Sequence, residues 1–326
     1  MNTSPLLIVG TSRSGSTLLS RILNNHPSLA IMPETWIFSY VELLNFKDYP
    51  KNFEYKYLGK QLYNSLKDYD DNAKTVVNNY FNTNKDLSGK ELSQVLMEIG
   101  DSYAKSNNKE FWGEKTPAHA LRLKRIYDLF PEATIVWIIR DPRDVLMSYI
   151  KRWNKNDFTD EKYILDVTVL LKFYYYKLIE QNPYENTIKI RYEQLVNDPS
   201  KELTTFFNKL GLDFDKAYLN TKNFIINNSE SKTAHENLNK KINSSSVGSY
   251  KDKIPSKILQ KVEYLLETEM EYLNYKPDSK LNELIDLESL KPYLVNFENI
   301  KADKVFKKNR MKSVLRMYYN TLNPFK

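Results

Sequence analysis

The sequence predicts an α/β fold in a single domain: a central parallel sheet flanked by helices, with a P-loop-like nucleotide-binding start. Three observations carry this expectation. Short strand-like segments at residues 6–9, 28–32, 133–139 and 187–191 alternate with stretches of helical periodicity. The run at 133–139 is apolar without interruption, as strands covered on both faces are. The first run also passes through a glycine-bearing turn straight into a helical pattern.

That first passage is the most informative. After Leu6–Val9 comes Gly10-Thr-Ser-Arg-Ser-Gly-Ser-Thr17, and then Leu18, Leu19, Ile22 and Leu23 recur at helical spacing. Strand, tight turn and helix start in that order aim unpaired backbone N–H groups and a positive helix end at one point, where a phosphate is held well. Gly10, Gly15 and Thr17 reproduce the skeleton of an ATP-binding loop, but Ser16 stands where its lysine belongs. Without that ammonium a triphosphate is poorly served. Arg13 is the one cation of the loop.

The remaining elements follow in order. Residues 28–32 read as a second strand ending at Pro33-Glu34-Thr35, and residues 36–110 read as a helical, polar insertion or lid. A third strand is expected at 110–113, leading into Glu114-Lys115-Thr116-Pro117, with a helix at 122–130 broken by Pro131. The fourth strand, 133–139, ends in Arg140-Asp141-Pro142-Arg143-Asp144, where another helix begins. Helices are expected at 164–178, from 192 through 210 with Gly211 as its cap, and at 254–275. The fifth strand is 187–191, and 220–249 reads as a long loop region rich in Asn, Ser and Lys. In a parallel sheet the groups at the strand carboxyl ends face one crevice, which collects Arg13, Lys115 and Arg140. Arg140 and Ser148, eight residues apart, suit a second anion; the same five residues from Arg140 also read as a solvated loop with local ion pairs and an Asp cap.

Composition narrows the classes. The 326 residues suffice for a sizeable core, and 41% hydrophobic with 27% charged residues is the balance of a globular chain. No cysteine is present, which excludes disulfides and thiolate metal sites, and three histidines leave little for an imidazole site, so no metal is expected. No charged and apolar leader precedes the first strand, and no apolar run approaches the ~20 residues of a membrane span, so the expected location is cytoplasmic. Residues 301–326 hold eight Lys/Arg against one acid, a surplus of seven that equals the net charge of +7. The domain is therefore expected over residues 1–300, with a basic amphipathic tail at 301–326. Its Met311, Val314, Leu315, Tyr318 and Leu322 share one helical face, suited to an anionic membrane surface, an acidic acceptor or its own domain. No nucleic-acid motif accompanies the basic excess.

Three segments in this order resemble the sulfotransferases that use 3′-phosphoadenosine 5′-phosphosulfate (PAPS). Thr11-Ser-Arg-Ser-Gly-Ser-Thr-Leu18 is similar to their 5′-phosphosulfate loop. Val136-Trp-Ile-Ile-Arg140-Asp-Pro-Arg-Asp-Val-Leu-Met-Ser148 is similar to their 3′-phosphate segment, and Arg191-Tyr-Glu-Gln-Leu-Val-Asn-Asp-Pro199 to the strand–turn whose Tyr lies near the adenine. The resemblance spans roughly residues 5–275. Arg13 in the loop, and His-Pro-x5-Pro-Glu-Thr after it, bring the chain nearest to the tyrosylprotein and bacterial branches.

The resemblance implies the sulfotransferase fold, PAPS as co-substrate and transfer of its sulfuryl group to a hydroxyl by in-line displacement. Ser14, Gly15, Ser16 and Thr17 would cradle the 5′-phosphate, Arg13 and Lys115 would stabilise developing charge, and Arg140 and Ser148 would hold the 3′-phosphate. Glu34 takes the place of the general base. It also reads as an exposed carboxylate at a helix start, Lys115 as a surface lysine, and His119 as a rival base. Tyr192 would neighbour the adenine, and Ser246, Gly248 and Lys251 would close over the 3′-phosphate. The acceptor, whether carbohydrate, lipid, small molecule or peptide tyrosine, and the oligomeric state are not encoded legibly. The competing class is a P-loop nucleotide kinase or phosphotransferase, which calls for a lysine at position 16 and a metal-binding Asp at a strand end.

Overall fold

In a computed structural model the chain is described over residues 4–41, 51–66, 69–154, 156–181, 186–223, 241–279 and 286–302. In chain order the elements are β1 (Leu6–Gly10), α1 (Ser16–Asn24), β2 (Leu29–Met32), α2 (Ile37–Val41), α3 (Lys51–Leu66), α4 (Asp71–Thr83) and α5 (Leu92–Ser106). Then come β3 (Phe111–Lys115), a 3-10 turn (Pro117–Arg122), α6 (Leu123–Leu129), β4 (Thr134–Ile139), α7 (Pro142–Trp153), α8 (Glu161–Glu180) and β5 (Thr187–Arg191). The chain continues with α9 (Tyr192–Asn197), α10 (Pro199–Lys209), two 3-10 turns (Lys216–Leu219 and Thr221–Asn223), α11 (Ser256–Leu265), α12 (Glu267–Tyr272) and α13 (Leu287–Ala302). The tail from residue 303 on lies outside the described residues, as do residues 224–240 of the expected loop region.

The described chain divides into two compact units, one within residues 1–139 and 181–244, the other within 140–180 and 245–326. The first holds a five-stranded, wholly parallel sheet in the order β2-β3-β1-β4-β5. Alternate strand residues face opposite sides. Leu6, Ile8, Leu29, Ile31, Val136, Ile138 and Ile190 turn to a core closed by Leu19, Ile22 and Leu23 of α1 and by Leu203, Phe206 and Phe207 of α10. On the other side Leu7, Met32, Trp112 and Glu114 border a cavity that α2–α5 close with Ile37, Phe38, Leu62, Leu66, Val77, Leu96 and Ile99. Asn24 locks α1 to β2 by exchanging two hydrogen bonds with Ile31, at 2.9 and 2.8 Å.

The second unit is helical. α8 packs against α7, α11, α12 and α13. Lys172 of α8 reaches Glu269 of α12 at 2.7 Å, both buried, and its ammonium lies 4.9 Å from the ring of Phe297 in α13. Among the described residues no helix is long and apolar enough to cross a membrane.

Where the boundaries differ from expectation, the cause is local. β3 runs two residues further, through Glu114 and Lys115, because it pairs on both edges: Glu114 registers with Met32 and with Leu7. The helix expected over 192–210 breaks at Asp198, whose carboxylate accepts from the Lys201 N–H while Pro199 starts α10. Gly211, at φ 68°, ends α10 as expected. The helix expected over 122–130 begins as the 3-10 turn before α6, and the insertion is organised into α2–α5, with Asp70 capping α4 through the Ala73 N–H.

Candidate functional site

The turn between β1 and α1 is built around two residues with positive φ. Gly15 (φ 100°) precedes the first residue of α1, and among the described residues no side chain caps that helix start. An added Cβ on Gly15 would lie 2.3 Å from Cδ2 of Tyr192, so the half-buried ring of the first α9 residue rests on the loop backbone. Ser14 donates its hydroxyl to the Thr11 carbonyl at 2.7 Å and closes the turn. Arg13 has φ 71°, a conformation that glycine adopts without penalty and arginine does not. A charged side chain kept at such a position is where strain points to function.

Lys115 ends β3, and β3 lies between β1 and β2. Its Cα registers with Ile8, two residues before the loop. Its ammonium donates to Glu34 Oε1 at 2.8 Å; the lysine side chain is 5% exposed and that of Glu34 31%. The two neighbouring strand ends thus place a carboxylate and an ammonium in contact, with the carboxylate open to solvent. Lys115 is buried and so is not a surface lysine, and α2 starts three residues after Glu34, with Thr35 Oγ1 accepting from the Ile37 N–H.

Behind this pair lies a second carboxylate. Glu114 Oε1 accepts from the Thr35 N–H at 3.0 Å, from the Thr35 hydroxyl at 2.8 Å and from the Thr116 hydroxyl. Burial raises its pKa to about 7, against the opposing pull of those hydrogen bonds and of the Lys115 charge. Its Oε2 lies 3.4 Å from His119 Nε2. Burial, with the charge of Arg122, holds His119 neutral, well below the usual imidazole range, so this contact is not an ion pair. His119 is 0% exposed and packs edge-on to Phe38. It is therefore no rival to Glu34: a fully enclosed imidazole meets no acceptor hydroxyl.

In the second unit, Arg140 is 6% exposed and donates to the Ser246 carbonyl at 2.9 Å, while its own carbonyl accepts from the Tyr175 hydroxyl at 2.8 Å. The segment that follows is buried, not a solvated loop. Asp141 caps α7 through the Arg143 N–H and grips the Arg143 side chain with both oxygens, at 3.0 and 2.8 Å. Arg143 also pairs with Glu263 and lies under the ring of Tyr250, 4.3 Å from its centroid. Asp144 accepts from the N–H groups of Gly248, Ser249 and Tyr250, at 2.7, 2.7 and 3.3 Å, and from the Ser249 hydroxyl at 3.0 Å. Burial raises its pKa, with Arg140 opposing. Ser148 is half-buried on α7, and Lys251 is exposed, 3.2 Å from Asp278.

The structure thus brings together Arg13, Ser14, Gly15, Ser16, Thr17 and Tyr192 around one turn, and Glu34 with Lys115 on the same sheet edge. It joins Arg140 to Ser246, and spends the Gly248 N–H on Asp144. Sequence reading missed Glu114, Thr35, Thr116 and Asp144. Glu114, Thr35 and Thr116 each adjoin a residue already singled out, and a carboxylate inside a buried strand needs partners; Asp144 on α7 carried no such signal.

A sequence model described as the Sulfotransferase family matches residues 5–216. Protein-tyrosine sulfotransferase A of Caenorhabditis elegans is 27% identical over 236 residues, covering 68% of this chain and 54% of that protein. The omega-hydroxy-beta-dihydromenaquinone-9 sulfotransferase Stf3 of Mycobacterium bovis is 29% identical over 119 residues, covering 32% of this chain and 30% of that protein. The chain therefore spans about half or less of the length of these relatives. In fold it is similar to the sulfotransferase domain from the Synechococcus PCC 7002 olefin synthase, with a TM-score of 0.58 at 18% identity over 84% of this chain and 97% of that one. The sulfotransferase domain from the curacin biosynthetic pathway gives 0.55 at 20% identity, covering 84% and 98%. With the match across residues 5–216 and the loop, sheet order and strand-end residues in place, the chain belongs to the Sulfotransferase family.

Proposed function

We propose that the chain transfers a sulfuryl group from PAPS to a hydroxyl. The observation that carries this reading is the Glu34–Lys115 contact at 2.8 Å on the sheet edge next to a phosphate-type turn that bears Arg13. The N–H groups of the turn and of the first turn of α1, with the Ser16 and Thr17 hydroxyls, suit a 5′-phosphate. Arg140 and Ser148, with Ser246 and Lys251, take the 3′-phosphate, the expected Gly248 contact falling away because Asp144 holds its N–H, and Tyr192 neighbours the adenine. The inclusive domain limits remain 1–300, with 301–326 as an appended tail. No step requires a metal.

In the transfer the acceptor oxygen forms a bond to sulfur as the bond from sulfur to the bridging phosphate oxygen breaks. The electron pair leaves with 3′-phosphoadenosine 5′-phosphate, and the acceptor proton passes to Glu34. Protonating Glu34 cancels the charge that holds Lys115, whose ammonium then serves the oxygens of the group in flight, beside Arg13. The relatives are named for a protein tyrosine and for an omega-hydroxylated menaquinone, both hydroxyl acceptors, which supports an alcohol or phenol here.

Calorimetric titration with 3′-phosphoadenosine 5′-phosphate, beside ADP and Mg-ATP, tests the reading. Tight binding of the 3′-phosphorylated nucleotide alone, weakened about tenfold or more by Arg140→Ala, is expected. Preference for Mg-ATP would overturn it.

A further inference from the structure

Glu114 occupies a place that no role in the transfer yet uses. It is 2% exposed and immediately precedes Lys115 on β3. One of its oxygens, Oε1, holds the N–H and hydroxyl of Thr35 and the hydroxyl of Thr116. Thr35 is the residue after Glu34, and Thr116 is the residue after Lys115. The tie is reinforced by the Trp36 N–H, 3.4 Å from Thr116 Oγ1. Trp36 itself has φ 56°, so the chain leaves β2 in a conformation that it keeps because something holds it. Beyond these partners, Glu114 meets the apolar cavity wall that α3–α5 supply and, through Oε2, the neutral His119.

We propose that Glu114 is a positioning residue: it ties the backbone after β2 to the backbone after β3 and so sets the contact of Glu34 with Lys115. The inference rests on the reading of Glu34 as base and Lys115 as its cation. Glu114 acts through them and touches neither substrate. The charged and titratable groups that face it are Lys115 from its own strand and His119 from the following 3-10 turn, with Arg122 bearing on the imidazole.

The test uses the full chain with Glu114→Gln, which keeps the acceptor oxygen, Glu114→Leu, which removes it, and Thr35→Val, which deletes one donor at constant shape. Hydrogen exchange of a peptide covering residues 33–38 needs no acceptor substrate. It should run about tenfold faster in Glu114→Leu and stay near wild type in Glu114→Gln. Turnover of PAPS with p-cresol as hydroxyl probe should show kcat lowered about tenfold or more in Glu114→Leu and less in Thr35→Val, and largely rescued in Glu114→Gln. Affinity for 3′-phosphoadenosine 5′-phosphate should stay within about threefold in all. Unchanged exchange in Glu114→Leu, or equal losses of kcat and nucleotide affinity in any folded variant, would overturn the proposal. Should Glu114→Leu not fold, Thr35→Val decides by the same two readouts. Full activity of Glu34→Gln would instead overturn the underlying reading while leaving the exchange result standing.

Discussion

Gly15 is the position at which backbone geometry and the proposed phosphate turn meet most closely, and Gly15→Ala tests that geometry. At φ 100° an L-residue sits beyond the ordinary left-handed region, at a cost of at least ~1–2 kcal/mol. The added Cβ would lie 2.3 Å from Tyr192 Cδ2 and 2.8 Å from Cε2, against ordinary contact at 3.4–4 Å, so the ring must retreat by more than an ångström. Tyr192 opens α9, whose Leu195 is wedged in the core with α1 and α10, and forced repacking of that kind costs about 1–3 kcal/mol. The sum is a loss of roughly 2–5 kcal/mol, read as a lower urea midpoint at unchanged slope. Tyr192→Ala in the Gly15→Ala background removes the collision but not the φ strain. The double variant should therefore show a favourable coupling of about 1–3 kcal/mol. If Gly15→Ala lies within about 0.5 kcal/mol of wild type, or the two changes simply add, the Tyr192 ring does not brace the loop.

Other perturbations follow from the buried charges. Glu114 has its pKa raised by burial from 4.5 to about 7, so it favours the folded state fully below pH 4.5 and loses that contribution as pH rises through 7. The stability of wild type relative to Glu114→Gln should fall by on the order of 3 kcal/mol across that window; a flat difference in urea midpoints would contradict it. Arg143→Met leaves Asp141 and Glu263 buried without their cation, and should cost about 3–5 kcal/mol by urea unfolding. Asp144→Ala frees three consecutive N–H groups at Gly248–Tyr250. It should cost about 2–3 kcal/mol and speed hydrogen exchange of residues 246–251, and unchanged exchange there would show that the turn stands without it.

How much of this was legible depended on whether the signal was local. The strands at 6–9, 28–32 and 133–139 are largely apolar and that at 187–191 alternates about two isoleucines, local signals in each case, and the structure puts all four within one residue of their expected bounds. The turn at Gly10–Thr17 declared itself through glycine spacing, and Gly15 does adopt a positive φ. The end of β3 was not legible, because Glu114 and Lys115 are poor strand residues by propensity and are drawn in by pairing on both edges, a non-local cause. α13 was missed for a related reason. Pro292 interrupts its pattern, and what holds it is Leu290 and Phe297, buried in the helical unit where α13 packs on α8, an element more than a hundred residues earlier in the chain.

The same distinction separates the candidate site residues from the carboxylates that hold the chain around them. Glu34, Lys115 and Arg140 are exposed to recognition by type: charged groups at strand ends, where a parallel sheet collects them. Glu114 and Asp144 hold no such place in a pattern. Each is a carboxylate that the fold buries, and a buried carboxylate is tolerable only with donors arranged around it. Those donors come from segments remote in sequence: Thr35 lies 79 residues from Glu114, and Gly248 lies 104 from Asp144. A single sequence carries no record of such pairings. Yet their cost makes them informative once seen, because either carboxylate replaced by alanine would strand the donors arranged around it. What the carboxylates supply that alanine does not is a fixed path for the chain, after β2 in one case and through residues 246–250 in the other. Those are the two segments on which the proposed base and the proposed 3′-phosphate contacts lie.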